Sequence, residues 1–539
     1  MLHSLRNSWR TNLERLNRRE LLRRWPLLAL PGLLSRDSAA ASACTPDLPV
    51  GPNIYRSIGV RPLINARGTF TIISGSLMLP EVRAAMDAAA QQHVHLDELM
   101  EAIGARLAEL TKAEWGIVTS GCAAALTHAT AACVAGGNPD LHIRIPNLSG
   151  FPRDEVIIPK HSRNVYDAAV RAVGVRVIEV QTAEELEAAF GPRSAMVYIL
   201  AGPRADEGPL STRGIAQLAR QKGVPVLVDA AAEVLTVPNV HLQNGVDMVG
   251  YSGGKCIRGP QTAGLLLGRK DLVRAAWIHS APHHGFARSM KVGKEEAMGM
   301  LMAVEMWMKR DHQAEWNQWL AWLDHISKRV SSIDGVTTSV VEPRGLSNRT
   351  PSLVIRWDRN RLGISGTTVA KHLFDLEPRI ATPGGRDSQS STETSISITP
   401  YQMSPGEEKI AADRLHALLA SPPAHEASEH PEPPASDISG QWDVQIEYAA
   451  GRSKHTLHLK QEGNRLEGTH QGDFVSRDLS GSIEGGGVRI RSSYGEEHGD
   501  QLSFTFTGKL FGDEMSGSLD MGEYLLAKWT GKRHQFRSR

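Results

Sequence analysis

The sequence predicts an α/β chain with a mainly parallel, doubly wound sheet, followed by a small α+β domain and then a C-terminal all-β barrel or sandwich. Three observations predict it. From Trp115 to about Leu267, short apolar strands alternate with helical stretches, the pattern of a parallel sheet with crossover helices. Five prolines (Pro422, Pro423, Pro431, Pro433 and Pro434) stand among polar and acidic residues between Ser421 and Asp437, which reads as a semi-rigid extended linker. Beyond that linker Trp442, Val444, Ile446 and Tyr448 alternate with polar residues, as do Leu457 and Leu459, the period of a strand with one face in a core.

Taken in order, the chain opens with a basic stretch, Asn17 to Arg24, then an apolar run, Trp25 to Leu34, then small residues ending Ala41-Ser42-Ala43-Cys44. That is the layout of a signal peptide over residues 1–43, followed by a linker over 44–53, and the adjacent arginines resemble a twin-arginine signal. It predicts export of a folded protein to the periplasm. A lipoprotein acylated at Cys44 and a cytoplasmic protein with a basic leader are the alternatives. No other segment is apolar enough to cross a bilayer.

A large domain is expected over 54–311. Arg61 to Thr69 reads as a leading strand and loop, and Pro80 to Lys112 as a helix with Leu96, Leu99, Ile103, Leu107 and Leu110 on one face. Strands follow near 117–119, 155–158, 175–180, 195–200, 224–229, 247–251 and 263–267. A long helical region from Lys294 to Ile333 leads into a small domain, 312–420, with strands near 336–341, 352–357 and 395–399 and a last helix from Pro405 to Leu419. After the linker, 421–437, a β domain is expected over 438–537. In it a short unit recurs as Leu466-Glu467-Gly468-Thr469, Leu479-Ser480-Gly481-Ser482 and Met515-Ser516-Gly517-Ser518. This is the pattern of a small lipocalin-like or avidin-like barrel or sandwich. It carries no catalytic cluster, so it is either a binding module or a structural cap.

Composition narrows the function. Of 539 residues, 41% are hydrophobic and 22% charged, and the net charge is +1, which gives no electrostatic footprint for nucleic acid. The four cysteines, Cys44, Cys122, Cys133 and Cys256, show neither metal spacing nor a disulfide framework.

The chemistry sits at strand ends. The apolar run Val224 to Asp229 finishes on a carboxylate, and the next strand, Asp247 to Tyr251, delivers Ser252-Gly253-Gly254-Lys255. A lysine and a strand-end aspartate in this order predict pyridoxal phosphate: Lys255 forms a Schiff base and Asp229 keeps the pyridine nitrogen protonated. Upstream, Trp115 to Leu126 reads as strand, tight turn and helix start, where open amides with the hydroxyls of Thr119 and Ser120 make a phosphate cup. His161 follows the strand ending Ile157-Ile158-Pro159 and is placed to stack on the pyridine face, or else is structural. Arg379 is the small-domain candidate for a bidentate grip on a substrate carboxylate, with Arg67 and Lys291 as further anion binders. A surface salt bridge is the alternative for each of the three.

These residues carry a resemblance. TSGCAAALT, KHSRNVYD, VLVDAAAE, YSGGKCIRGPQTAGLLLG and ITPYQMSPGEE resemble fold-type-I pyridoxal-phosphate enzymes of the bacterial selenocysteine synthase superfamily, nearer its non-tRNA, D-glucosaminate-6-phosphate ammonia-lyase-like branch. The resemblance spans about Ile54 to Ala420. It implies the catalytic set Lys255, Asp229 and His161, with Ser120, Gly121, Cys122 and Ser252 around the phosphate. It also implies α,β-elimination or β-replacement on a small amino-acid or amino-sugar-acid substrate, and a homo-oligomer whose sites are completed by a neighbouring subunit. The tRNA-using enzymes carry an additional N-terminal RNA-binding domain, for which there is no room between the leader and Asn65, so tRNA is not the expected partner. A class-V-like aminotransferase or a desulfurase is the alternative among enzymes, although Cys122 and Cys256 are tied to loops. An exported binding protein with a degenerate cofactor fold is the alternative outside them.

Overall fold

The computed structural model describes residues 48–388, 390–423, 432–496 and 501–535. The expected signal peptide, Cys44 and the centre of the proline-rich linker (424–431) lie outside the described residues. The chain divides into two units after Pro62; the described part of the first holds one short 3-10 turn, Arg56–Ile58. The second unit, Leu63–Arg539, carries all the sheets.

Its first strand, β1 (Ile64–Asn65), departs from expectation. Rather than joining the large sheet, it pairs in parallel with Ile380–Ala381, and Ile64 and Ala66 sit in one core with Trp322, Leu353 and Ile396. The chain therefore contributes to its small domain before building the large one.

The expected helix from Pro80 to Lys112 is two: α1 (Pro80–Ala90) and α2 (Leu96–Thr111). His95 is extended, and Asp97 and Glu98 fall in the first turn of α2, where acidic side chains offset the helix dipole. Between here and residue 268 lie β2 (Trp115–Thr119), α3 (Cys122–Ala135), β3 (Glu155–Pro159), β4 (Arg176–Val180), β5 (Ser194–Leu200), β6 (Val226–Asp229), β7 (Met248–Ser252) and β8 (Gly264–Gly268). They form one sheet in the order β2-β8-β7-β6-β5-β3-β4. Both β2 and β7 run antiparallel to β8, so β8 alone opposes the other six. The inner strands are continuous apolar runs buried on both faces, as sequences such as Val226-Leu227-Val228 require. All six parallel strands end on one edge, where open α/β sheets collect ligands.

The region expected as one helix from Lys294 to Ile333 is also two, α4 (Lys294–Lys309) and α5 (His312–Val330). Asp311 ends the first by capping the second, its carboxylate accepting the Ala314 amide at 2.9 Å. Arg310 at the same joint is held by both Glu315 oxygens and donates to the Cys256 carbonyl. Strands β9 (Thr337–Val341), β10 (Ser352–Asp358), β11 (Ile380–Ala381), β12 (Gly385–Asp387) and β13 (Glu393–Ile398) follow, with β12-β13-β10-β9 forming an antiparallel sheet. Helix α6 (Glu407–Ala420) closes this domain against α5 through Leu415 and Leu419.

Eight strands, β14 (Gly440–Glu447), β15 (Arg452–Glu462), β16 (Arg465–Gln471), β17 (Ser476–Glu484), β18 (Gly487–Gly495), β19 (Gln501–Phe511), β20 (Glu514–Asp520) and β21 (Leu526–Arg533), then make a closed barrel in sequence order. Of the two expected forms it is the barrel; β21 returns to pair with β14. The repeated unit has a packing reason. Leu466, Leu479 and Met515 point inward, while Gly468, Gly481 and Gly517 stand where a Cβ would collide with the carbonyls of His458, Arg489 and Thr507.

Candidate active site

The phosphate cup forms because β2 turns directly into α3. Gly121 makes the turn at φ 90°, the left-handed region that a side chain would strain, and the Thr119 hydroxyl donates to the Gly121 carbonyl at 2.8 Å. Among the described residues no side chain caps α3 and the amides of Cys122, Ala123 and Ala124 have no acceptor, at the positive end of a helix dipole. The turn is pressed from below by β8: a Cβ on Gly264 would lie 2.5 Å from the Gly121 carbonyl carbon. Ser120 is differently employed. Its hydroxyl donates to the Met290 carbonyl at 3.0 Å, which brings the exposed Lys291 alongside the cup.

Asp229 ends β6 almost completely buried, 3% exposed. One carboxylate oxygen accepts from the Ala231 amide at 3.0 Å and from the Cys122 thiol at 3.5 Å; the other accepts from the Tyr198 hydroxyl at 3.1 Å. Tyr198 accepts in turn from the Asn164 amide at 3.1 Å. Burial pushes the Asp229 carboxyl above its ordinary range, against the Ala231 amide, the Lys255 charge and the two side-chain donors. Cys122 therefore contributes to the cup through its amide alone; its sulfur belongs to Asp229. Tyr198 and Asn164 were not among the expected site residues. The available signal was a tyrosine inside the apolar run Ser194 to Leu200, since a buried phenol needs a partner.

Lys255 hangs from the turn after β7. Gly253 and Gly254 must be glycines here, because Cβ atoms would sit 2.7 Å from the Ala263 carbonyl and 2.7 Å from the Gln261 Cα. Ser252, the last residue of β7, pairs with Gly264 and thus borders the cup strand. The Lys255 amine, half-buried, makes no hydrogen bond or ion pair among the described residues, yet its charge bears on Asp229, Cys122 and Cys256. Both thiols are held and protonated. Cys256 donates to the Glu233 carbonyl at 3.1 Å and burial pushes it up to about 12, while burial and Asp229 raise Cys122 well above the usual thiol range.

His161 lies just past β3, in the 3-10 turn Lys160–Ser162, with Nε2 3.3 Å from the Leu210 carbonyl and Nδ1 3.1 Å from the Ser162 hydroxyl. Those contacts lock its ring at the strand-end edge.

The three anion-binding candidates separate. Arg67 sits in a loop pinned by the Asn65 side chain and by Tyr401, and the same loop reaches the lysine turn, where the Ser76 amide donates to Gly254 at 3.0 Å. Its guanidinium lies over Phe70 at 4.2 Å and its buried Nε has no acceptor among the described residues. Lys291 is exposed beside the cup. Arg379 Nε donates to the Phe374 carbonyl at 2.9 Å, and its guanidinium lies over the Phe374 ring at 3.8 Å.

Sequence reading also missed a cavity of about 830 Å³ lined by Cys256, Arg310, Trp316, Trp319, Arg349 and Tyr401 among others. It flanks the lysine turn, but Lys255 does not line it. Its walls come from segments far apart in the chain, so no local motif announces it.

The residues present suit pyridoxal phosphate: an unpartnered amine, a buried carboxylate and a row of open amides share one sheet edge. Comparison with known proteins agrees. Residues 84–285 match the aminotransferase class-V family. The chain is 30% identical over 376 residues to D-glucosaminate-6-phosphate ammonia lyase of Salmonella typhimurium (strain 14028s / SGSC 2262), covering 68% of this chain and 98% of that one. A solved structure of D-glucosaminate-6-phosphate ammonia-lyase superposes with a TM-score of 0.60 at 29% identity, again over 68% and 98% of the two chains. The chain is also 30% identical over 379 residues to a 5'-C-glycyluridine monooxygenase-decarboxylase of Streptomyces sp, covering 68% and 92%. L-seryl-tRNA(Sec) selenium transferase of Moorella thermoacetica is 27% identical over 334 residues, covering 54% and 67%.

Proposed function

Because the chain belongs to the fold-type-I pyridoxal-phosphate enzymes of the selenocysteine-synthase-like superfamily and is a lyase or transferase of that class, we propose that it catalyses α,β-elimination or β-replacement on a small amino-acid or amino-sugar-acid substrate. One observation carries the reading: the Lys255 amine, without a hydrogen bond or ion pair among the described residues, lies close enough to bear on the buried Asp229 carboxylate at the strand-end edge that also bears the open amides of α3. The bound cofactor supplies an electron sink for a carbanion at the substrate α-carbon.

Each residue then has a task. Lys255 would hold the cofactor covalently, and its Nζ would be the base that takes the substrate α-proton. Asp229 would accept from the pyridine nitrogen, with Tyr198 and Cys122 holding its oxygens in place. His161 covers the ring face. The amides of Cys122, Ala123 and Ala124 would receive the phosphate, with Gly121 making the turn and Ser252 bordering it through its pairing with Gly264. Arg67, with its unpaired Nε beside the lysine turn, and Lys291, beside the cup, are the groups that hold substrate anions. The engaged thiols of Cys122 and Cys256 weigh against a desulfurase, which needs a mobile sulfur nucleophile.

The test is a panel of amino acids and amino sugar acids added to the cofactor-loaded enzyme, with ammonia and keto-acid products measured. Elimination releases both in equal amounts. Stoichiometric conversion of the cofactor to its amine form, with no ammonia, would replace this reading with transamination. Lys255→Ala should abolish both turnover and the visible absorbance of the lysine-linked cofactor.

A further inference from the structure

The C-terminal barrel has two unlike ends. Its interior is filled by side chains, with Trp442, Phe506 and Trp529 wholly buried at the centre. One end is stoppered by the incoming chain: Ile438 is fully buried, its carbonyl accepts the Trp442 indole N–H at 2.9 Å, and Arg533 lies over the Trp442 ring at 4.8 Å. The other end, where the turns 448–451, 472–475 and 521–525 gather, carries a buried polar layer instead.

That layer is incompletely satisfied. His455 and His470 share a hydrogen bond of 2.8 Å, and His470 reaches the Ser492 hydroxyl at 2.6 Å. Arg477, opposite His470 on the next strand, is only 8% exposed, yet its Nε and Nη1 are buried with no acceptor and no described carboxylate pairs with it. Its guanidinium rests on the face of Phe504 at 4.6 Å. Arg477 lines one cavity and Phe504 another, and the contact between these two side chains links them. One, about 470 Å³, is lined by Ser476, Arg477, Asp478, Ser493 and Tyr494. The other, about 390 Å³ and mainly apolar, is lined by Tyr448, Leu502, Phe504, Met521 and Leu525 among others. Phe504 is the wall of the second and the platform of the cation in the first. Tyr524, Leu525 and Leu526 continue the apolar surface outward, 50%, 76% and 67% exposed.

We propose that this end of the barrel is a binding site for an amphipathic organic acid, its carboxylate on Arg477 and its apolar body along Phe504, Leu502 and Leu525. A single unpaired, desolvated guanidinium selects one anionic group, since only a charge-assisted partner offsets its burial. The adjoining apolar wall selects a hydrocarbon or aromatic tail, and the packed interior confines the ligand to the barrel's mouth.

Decanoate is the probe, titrated calorimetrically into the full-length, cofactor-loaded protein. It should bind one molecule per chain. Arg477→Met should weaken it at least tenfold while leaving decanol binding unchanged, and Arg477→Lys should recover part of the loss. Leu525→Glu, at an exposed rim position, tests the apolar half should the buried arginine variant not fold; it too should weaken decanoate at least tenfold. Absence of decanoate binding to the parent protein, or affinity equal in the parent and Leu525→Glu or Arg477→Met, would overturn the proposal.

Discussion

Removing the Tyr198 hydroxyl isolates what the second layer of the site does. In Tyr198→Phe the ring stays in its fully buried place in β5, and only the donor 3.1 Å from Asp229 disappears. Asn164 keeps its other bond, to the Ser162 carbonyl at 2.7 Å, so the change does not strand a second group. A hydrogen bond to a charged acceptor contributes about 1.5–3 kcal/mol, so without it the Asp229 carboxyl should rise further. Burial already holds it above its ordinary value, and Tyr198 is one of the groups opposing that rise. The ionised carboxylate is the form that pairs with a protonated pyridine nitrogen. Cofactor affinity at neutral pH should therefore fall about ten- to a hundredfold, and the acid limb of cofactor binding should move to higher pH. Absorbance titration of the cofactor-free protein with pyridoxal phosphate at a series of pH values measures both quantities. An affinity within twofold of the parent, with the acid limb unmoved, would refute the idea that Tyr198 tunes Asp229.

Further outcomes rest on other contacts. Gly264→Ala forces a Cβ to 2.5 Å from the Gly121 carbonyl carbon, so the α3 amides must shift; the preference for pyridoxal phosphate over pyridoxal should fall at least tenfold, and an unchanged ratio would remove the phosphate from this cup. His128 is wholly buried, and burial holds its imidazole down at about 3 from an ordinary 6.5. Below pH 6.5 the unfolded chain takes up a proton that the folded chain refuses, so stability present above 6.5 is lost as pH falls, by about 2 kcal/mol at pH 5 from this group alone. Thermal unfolding at pH 7 and pH 5 should show the drop, smaller in His128→Leu; equal midpoints would contradict it. Size measurement under assay conditions should find at least a dimer, because sites of this fold are expected to be completed by a neighbouring subunit; a fully active monomer would count against that. N-terminal sequencing of the protein recovered from the periplasm should begin near Cys44, and an intact leader on active protein would dispose of export.

How much of the fold and site was legible depends on how far each signal travels along the chain. Asp229, Lys255 and the Gly121 turn each sit within a few residues of the strand that positions them, so strand period, glycine placement and strand-end chemistry sufficed to find them. The seven sheet strands were visible to within two residues for the same reason: continuous apolar runs such as Ile157-Ile158 and Val226-Leu227-Val228 have no other home. Helix breaks were less so, because Gln91–His95 and Arg310–Asp311 contain neither proline nor glycine, and only the cap at Asp311, realised through the Ala314 amide, ends the earlier helix. Three features became visible only in the fold. β1 finds its partner, Ile380–Ala381, across more than half the chain. The Tyr198–Asp229 contact depends on β5 and β6 being neighbours in space. Arg379 was a candidate by residue type and domain, and only the fold shows its Nε held by the Phe374 carbonyl with the guanidinium over that ring. Arg67 shows the converse. Its residue type was equally ambiguous, but Asn65 binds the loop's amides and leaves the buried Nε without an acceptor, so the backbone that fixes the side chain also keeps it unpaired. An arginine becomes a candidate ligand through what its neighbours decline to offer it, and that property belongs to packing rather than to sequence.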